Sequence, residues 1–137
     1  VLGIDYGARR VGLALSDPMR IISSPYRTLA VKSTTELLTQ LAELVREQEV
    51  TEIVVGLPLR ADDTESDQTR RVREFIRQLR ETLPQIPIHT VDEAYSSHEA
   101  RARLRQAGKK ARRNKGLVDQ TAAAVILEQF LREQSGR

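Results

Sequence analysis

Short apolar runs and longer stretches of helical periodicity alternate along the chain. Val1 to Ile4 is an apolar run that ends at Asp5-Tyr6-Gly7, the pattern of a buried strand followed by a turn. After Ala8-Arg9-Arg10, the segment Val11 to Asp17 predicts a second strand returning from that turn, closed by Pro18. Ile21 to Leu29 predicts a third strand. Pro25 within it demands an edge position, a bulge or an irregular stretch, because proline cannot donate to a ladder. Three strands so close together suggest a meander.

The pattern then changes period. Ser33-Thr34-Thr35-Glu36 has capping-box spacing, and Leu37, Leu38, Leu41, Leu44 and Val45 recur on one face, predicting an amphipathic helix over 34–48. Thr51 to Val55 predicts a strand closed by Gly56-Leu57-Pro58, and 60–66 a polar loop. Val72, Phe75, Ile76, Leu79 and Leu83 mark a second helix that Pro84 helps to stop. Ile86 to Val91 is the next strand and ends in Asp92-Glu93. Ser96-Ser97-His98-Glu99 offers another capping box, for a helix with Ala100, Leu104 and Ala107 on one side and Arg101 and Arg105 on another. Residues 108–116 lack periodicity and read as a mobile basic loop. A last helix is predicted from near Val118, carrying Ala122, Ala123, Ile126, Leu127, Phe130 and Leu131. The order β-β-β-α-β-α-β-α-α implies an α/β fold: one mixed five-stranded sheet, parallel where helices intervene and antiparallel in the meander, with helices on both faces. A single domain over residues 1–137 is expected, since no repeat, low-complexity linker or second domain is apparent.

Composition narrows the chemistry. The chain has no cysteine, which excludes disulfides, zinc–thiolate sites and thiol nucleophiles. No apolar run approaches the roughly 20 residues of a membrane span, and Val1 to Ile4 meets Asp5 too soon for a signal peptide or anchor. A cytoplasmic protein is expected. The formal charge of +3 is unevenly spread. Between Ser96 and Gly116, eight basic residues (Arg101, Arg103, Arg105, Lys109, Lys110, Arg112, Arg113 and Lys115) face one acid, Glu99, so the segment carries +7 and the remainder −4. A charge run of this kind is an ordinary solvated face unless a site lies beside it.

Acids at strand ends supply the candidate site. Asp5, Asp92 and Glu93 fall at the carboxyl ends of predicted strands, where open α/β sheets place their ligands. Asp119 precedes Ala123 by four residues and Ile126 by seven, so it shares their inward side. Carboxylates brought together repel unless protonated or neutralised by a cation. Oxygen donors suit Mg²⁺ or Mn²⁺, and two such ions can serve phosphodiester hydrolysis. Each acid also has a local alternative. Asp119 reads as an N-cap, Asp5 as a turn organiser, and one of Asp92 and Glu93 as a cap or salt-bridge partner. Asp5 to Arg10 can bring backbone N–H groups and a guanidinium to a phosphate, although no G-x-x-x-x-G-K-[ST] motif occurs. Gly56 permits a close backbone approach or merely turns the chain. His89, within an apolar strand, reads as structural. His98 reads as an exposed bystander or a phosphate contact. Tyr6, Tyr26 and Tyr95 can stack on bases, but they are few for a stacking platform.

Four segments, in order, resemble the YqgF/RuvX family of the ribonuclease H-like superfamily: Gly3 to Ala14 with Ser16-Asp17, Val54 to Leu59, Val91-Asp92-Glu93 with Ser96-Ser97 and Ala100, and Val118 to Leu127. The resemblance spans nearly the whole chain. It implies a three-layer ribonuclease H-like nuclease domain in which Asp5, Glu93 and Asp119 are catalytic, metal-binding carboxylates, with Asp92 the weaker candidate, and in which two Mg²⁺ or Mn²⁺ ions assist hydrolysis. Arg9, Arg10, Arg101, Arg105, Lys109, Lys110, Arg112, Arg113 and Lys115 would then hold a nucleic-acid backbone. The implied substrate is structured nucleic acid, either pre-16S rRNA in a ribosomal context or branched DNA. The protein would be a monomer or a homodimer. The alternatives are a Holliday junction resolvase and a non-catalytic RNA-binding assembly factor. An actin-like phosphotransferase would need a second Asp-x-Gly turn and a second lobe. Two positions depart from the family pattern. Ala94 stands where an Arg commonly follows the Asp-Glu pair, and Arg60-Ala61-Asp62-Asp63 replaces a common Met-Asp-Gly.

Overall fold

Strand β1 (Leu2–Tyr6) is the centre from which the sheet is built. It pairs antiparallel with β2 (Arg10–Ser16) and parallel with β4 (Ile53–Leu57). β3 (Ser23–Ala30) adds antiparallel to β2, and β5 (Ile88–Asp92) adds parallel to β4, giving the order β3-β2-β1-β4-β5. Helices α1 (Thr34–Glu47), α2 (Asp67–Thr82), α3 (Ser96–Ala107) and α4 (Lys115–Ser135) complete the expected element order. The computed structural model describes residues 1–58, 66–93, 96–108 and 114–135, and the side chains of 96–98 and 135 lie outside that description.

Period-two alternation sorts the strands' side chains onto two faces. Leu2, Ile4, Val11, Leu13, Ile53, Val55, Leu57 and Ile88 pack with Leu37, Leu41 and Leu44 of α1 and Val72, Phe75, Ile76 and Leu79 of α2. Ala14, Val54 and Val91 point the other way, into Ala123, Ile126, Leu127 and Phe130 of α4. Helices therefore cover both faces, and α3 packs on the outside of α4 through the buried Ala100 and Leu104. An ion pair of Arg103 with Glu128, 2.6 Å, ties the two helices together.

Pro25 behaves as its chemistry requires. β3 is an edge strand, and its register slips where Leu13 faces Arg27 but Ala14 faces Pro25, leaving Tyr26 as the extra residue of a bulge. Ser33 caps α1 by accepting from the Glu36 N–H at 3.1 Å. α2 starts earlier than its apolar stripe does, at a capping box in which Ser66 and Thr69 bond reciprocally.

The third strand starts at Ser23 rather than Ile21, with Ile21 and Ile22 exposed ahead of it, and the fifth starts at Ile88 rather than Ile86. Three further differences bear on the site. β1 runs on through Asp5 and Tyr6, because its register with β2 continues to Tyr6 opposite Val11 and the Tyr6 ring stacks on Phe75 with centroids 4.4 Å apart. Asp5 is thus a strand residue rather than a turn organiser, and Tyr6 is a core ring rather than a base platform. Gly56 and Leu57 likewise belong to β4. α4 begins at Lys115, so Lys115 and Gly116 of the expected loop over 108–116 are helical, and 109–113 lie outside the described residues. Its cap is Asn114, whose side chain accepts from the Leu117 N–H at 3.2 Å, and the N-cap role expected of Asp119 is withdrawn. His89 is structural as expected. It bonds Glu52 at 2.9 Å and packs on Phe130.

Candidate active site at the carboxyl edge of the sheet

Glycines set how closely α4 can approach the sheet. A Cβ at Gly3 would stand 2.8 Å from Leu127 Cβ and 2.9 Å from the Ala123 carbonyl oxygen, and one at Gly12 would run into the Asp119 carbonyl oxygen. Two side chains of β3 anchor the helix from the edge: Thr28 Oγ1 donates to the Gly116 carbonyl at 2.6 Å, and Ser23 Oγ donates to the Ala124 carbonyl at 2.8 Å. The result places Asp119 over Gly12, and Gly12 is the direct partner of Asp5 in the β1–β2 register.

Glu93 arrives from the other side. Its N–H donates to the Leu57 carbonyl at 3.2 Å, prolonging the β4–β5 pairing by one residue. Alternation carries its side chain to the α4 face, where its carboxylate lies over Gly56. A Cβ there would be 2.8 Å from Glu93 Oε2 and 2.5 Å from Ile126 Cδ1. Asp92 belongs to the opposite, α2 face and is exposed. Geometry thereby separates two neighbouring acids that the sequence leaves equivalent. Gly56→Ala is expected to push the ends of the Glu93 and Ile126 side chains aside at a cost of about 1 kcal/mol or less by urea denaturation, while moving the Glu93 carboxylate off its place. A Glu93 carboxyl ¹³C shift identical to that of the wild type would mean that Glu93 does not sit against Gly56.

Asp5, Glu93 and Asp119 thus converge on one edge of the sheet. Burial of Asp5 pushes its carboxyl up to about 6, the nearby charge of Asp119 adds to that effect, and a hydrogen bond with Glu93 opposes it. Asp5 and Glu93 therefore lie within hydrogen-bonding reach of one another. Asp119 is occupied differently: Arg10 Nε donates to its Oδ2 at 2.6 Å. As these side chains stand, no group of three among the described residues is arranged to hold one cation. The donor set nevertheless fits a hard divalent cation. It consists of partly enclosed carboxylate oxygens that repel one another, with the Arg10 guanidinium on Asp119.

The other candidates scatter. Arg9, Arg101, Arg105 and Lys115 are exposed, while Lys109, Lys110, Arg112 and Arg113 lie outside the described residues, as do Ala94, Tyr95 and the His98 side chain. Sequence reasoning missed Thr28, Ser23 and the Arg10–Asp119 pair. None of these contacts leaves a local spacing signal, since the partners are 88, 101 and 109 residues apart.

Strand order, mixed pairing and helices on both faces define a ribonuclease H-like fold. The structure of T. thermophilus RuvC in complex with a Holliday junction substrate is similar in fold, with a TM-score of 0.63 and 15% identity over 98% of this chain and 94% of that one. The family described as RuvX, Holliday junction resolvase, matches residues 1–133, and the chain belongs to this YqgF/RuvX family. A protein of Maridesulfovibrio salexigens named "Putative pre-16S rRNA nuclease" is 41% identical over 131 residues, covering 96% of each chain. One of the same name from Oleidesulfovibrio alaskensis is 42% identical over 130 residues, covering 95% of this chain and 90% of that one.

Proposed function

We propose that the chain, as one domain over 1–137, is a cytoplasmic divalent-metal-dependent nuclease that hydrolyses phosphodiester bonds in structured nucleic acid, with the 5′ end of pre-16S rRNA as its substrate. The convergence of Asp5, Glu93 and Asp119 around a carboxyl pushed up to about 6 is the observation that carries this reading. The names borne by its relatives support the choice of substrate. Asp5, Glu93 and Asp119 would hold the Mg²⁺ or Mn²⁺, and the position of Asp92 on the other face of β5 supports leaving it outside that set. When bound, the cations supply the charge that makes water a nucleophile at neutral pH and stabilises the departing oxygen. Asp5, at the centre, balances the charge from both sides. Glu93, braced against Gly56, and Asp119, fixed over Gly12, hold the outer positions.

Backbone binding would fall to the basic residues. Arg9, Arg101, Arg105 and Lys115 are exposed, and Lys109, Lys110, Arg112 and Arg113 follow α3 in the sequence, outside the described residues. Such contacts give affinity that depends on salt and carries little sequence information. Neutralising those last four residues is expected to weaken binding to all substrates alike and to flatten the plot of log K against log salt by about 3–4. An unchanged slope would reject them as phosphate contacts. Among the described residues no helix is long and apolar enough to cross a membrane.

The family's own description favours a second substrate, the four-way DNA junction. Cleavage of a pre-16S RNA, a four-way junction and a plain duplex of matched length, each with Mg²⁺, Mn²⁺ or EDTA, separates the two. Metal-dependent cutting of the RNA is expected. Preferential cutting of the junction would make the protein a resolvase. Binding of RNA without cutting under any metal would overturn the nuclease reading in favour of an assembly factor.

A further inference from the structure

Arg10 makes one side-on contact with Asp119, through Nε rather than through the two-pronged end of the guanidinium. Among the described residues its terminal Nη groups have no hydrogen bond, and 40% of the side chain is open to solvent, against 21% for Asp119. The two Nη groups are therefore open to an arriving phosphate, and a phosphate offers the guanidinium a bidentate match that the single Nε contact with the carboxylate does not, so the phosphate can draw the guanidinium off Asp119. Both backbones are closely packed where they stand. A Cβ at Gly7 would stand 2.6 Å from the Arg10 carbonyl oxygen, and Gly12 lies hard beneath the carbonyl of Asp119. Any exchange of partners takes place in the side chains alone.

We propose that Arg10 is a phosphate-operated clasp on Asp119: it holds the carboxylate in the free protein and releases it when a backbone phosphate arrives, so that substrate and divalent cation bind cooperatively. This rests on the cation site proposed above and adds to it an order of assembly. A guanidinium left on Oδ2 would set a positive charge a few ångströms from any cation on the same carboxylate. A permanent pair would therefore oppose the ion it is meant to position. Coupling is reciprocal, so a bound cation has to strengthen phosphate binding by the factor by which phosphate strengthens cation binding, and removing Arg10 takes the competing charge off Asp119 without any phosphate.

The experiment measures Mn²⁺ binding by the electron paramagnetic resonance of free Mn²⁺, for the wild type, Arg10→Gln and Arg10→Lys. Each is measured with and without a short single-stranded RNA that is also titrated alone. Arg10→Gln is expected to bind Mn²⁺ about tenfold more tightly than the wild type without RNA. RNA is expected to tighten the wild type by a similar factor and to leave Arg10→Gln unchanged. Arg10→Lys keeps the charge and is expected to follow the wild type. Should it follow Arg10→Gln instead, disturbance of the site rather than charge would be at work, and the clasp would be overturned. Mn²⁺ binding that is equal or weaker in Arg10→Gln, with the wild type binding normally, overturns the clasp and leaves the cation site standing. Failure of every variant to bind Mn²⁺ overturns the cation site itself.

Discussion

Replacing Asp119 with asparagine is expected to slow phosphodiester cleavage by about a thousandfold while nucleic-acid binding survives. The substitution keeps the shape of the side chain and its place over Gly12 but removes one of the three negative charges that would hold the cations. Losing about 4 kcal/mol of charge stabilisation in the transition state corresponds to that factor. Binding follows a different rule. The variant frees Arg10 from its 2.6 Å partner and makes the surface more positive, so affinity for a polyanion holds or rises slightly. Single-turnover cleavage beside a filter-binding titration separates the two quantities. Cleavage equal to the wild type would sink the assignment of Asp119, and a parallel loss of binding would point to a positioning role instead.

Asp5→Asn is expected to make the protein more stable and inactive. Asp5 is pushed from an ordinary 3.8 up to about 6, chiefly by burial. Between those values the folded protein holds a proton that the unfolded chain has released, so the stability Asp5 confers falls as pH rises through that window. Above about pH 6 the buried charge is a net cost, and a shift of this size corresponds to about 3 kcal/mol. Asparagine removes the charge and can donate to Glu93. The variant should therefore match the wild type below about pH 4 and gain up to about 3 kcal/mol by pH 7, roughly a 10 °C rise in Tm. Melting curves across pH in EDTA check the sign. A gain that is largest in acid, or a variant less stable than the wild type at pH 7, would contradict the burial of a repelling carboxylate. Stability would here be given up for function, as functional sites commonly require.

Much of the frame is legible from the residues because its signals are local. The leucine stripe of α1, its Ser33 cap and the constraint imposed by Pro25 each act within a few positions, and each has its counterpart in the structure. Where the sequence misleads, a distant contact has overridden a local one. Lys115 and Gly116 carry no apolar period, and glycine argues against a helix, yet Thr28 on β3 binds the Gly116 carbonyl in the first turn of α4. That added turn moves Asp119 away from the helix cap. Asp92 and Glu93 cannot be ranked from the sequence of β5, because Ile88 with Thr90 on one face and His89 with Val91 on the other leave no plainly polar side to count from. The glycines at 3, 12 and 56 read locally as mere flexibility, and only the path of α4 shows them to be contact surfaces. The Arg10–Asp119 pair joins opposite ends of the chain, beyond the reach of any spacing rule.

The central claim is that Asp5, Glu93 and Asp119 form a single carboxylate cluster awaiting a divalent cation. Titration of the Asp5 carboxyl carbon by ¹³C NMR, in EDTA and then in saturating Mg²⁺, tests it most directly. A midpoint near 6 in EDTA that falls below about 4 with Mg²⁺ is the predicted result. A midpoint that Mg²⁺ leaves where it was would contradict the cluster as a cation site.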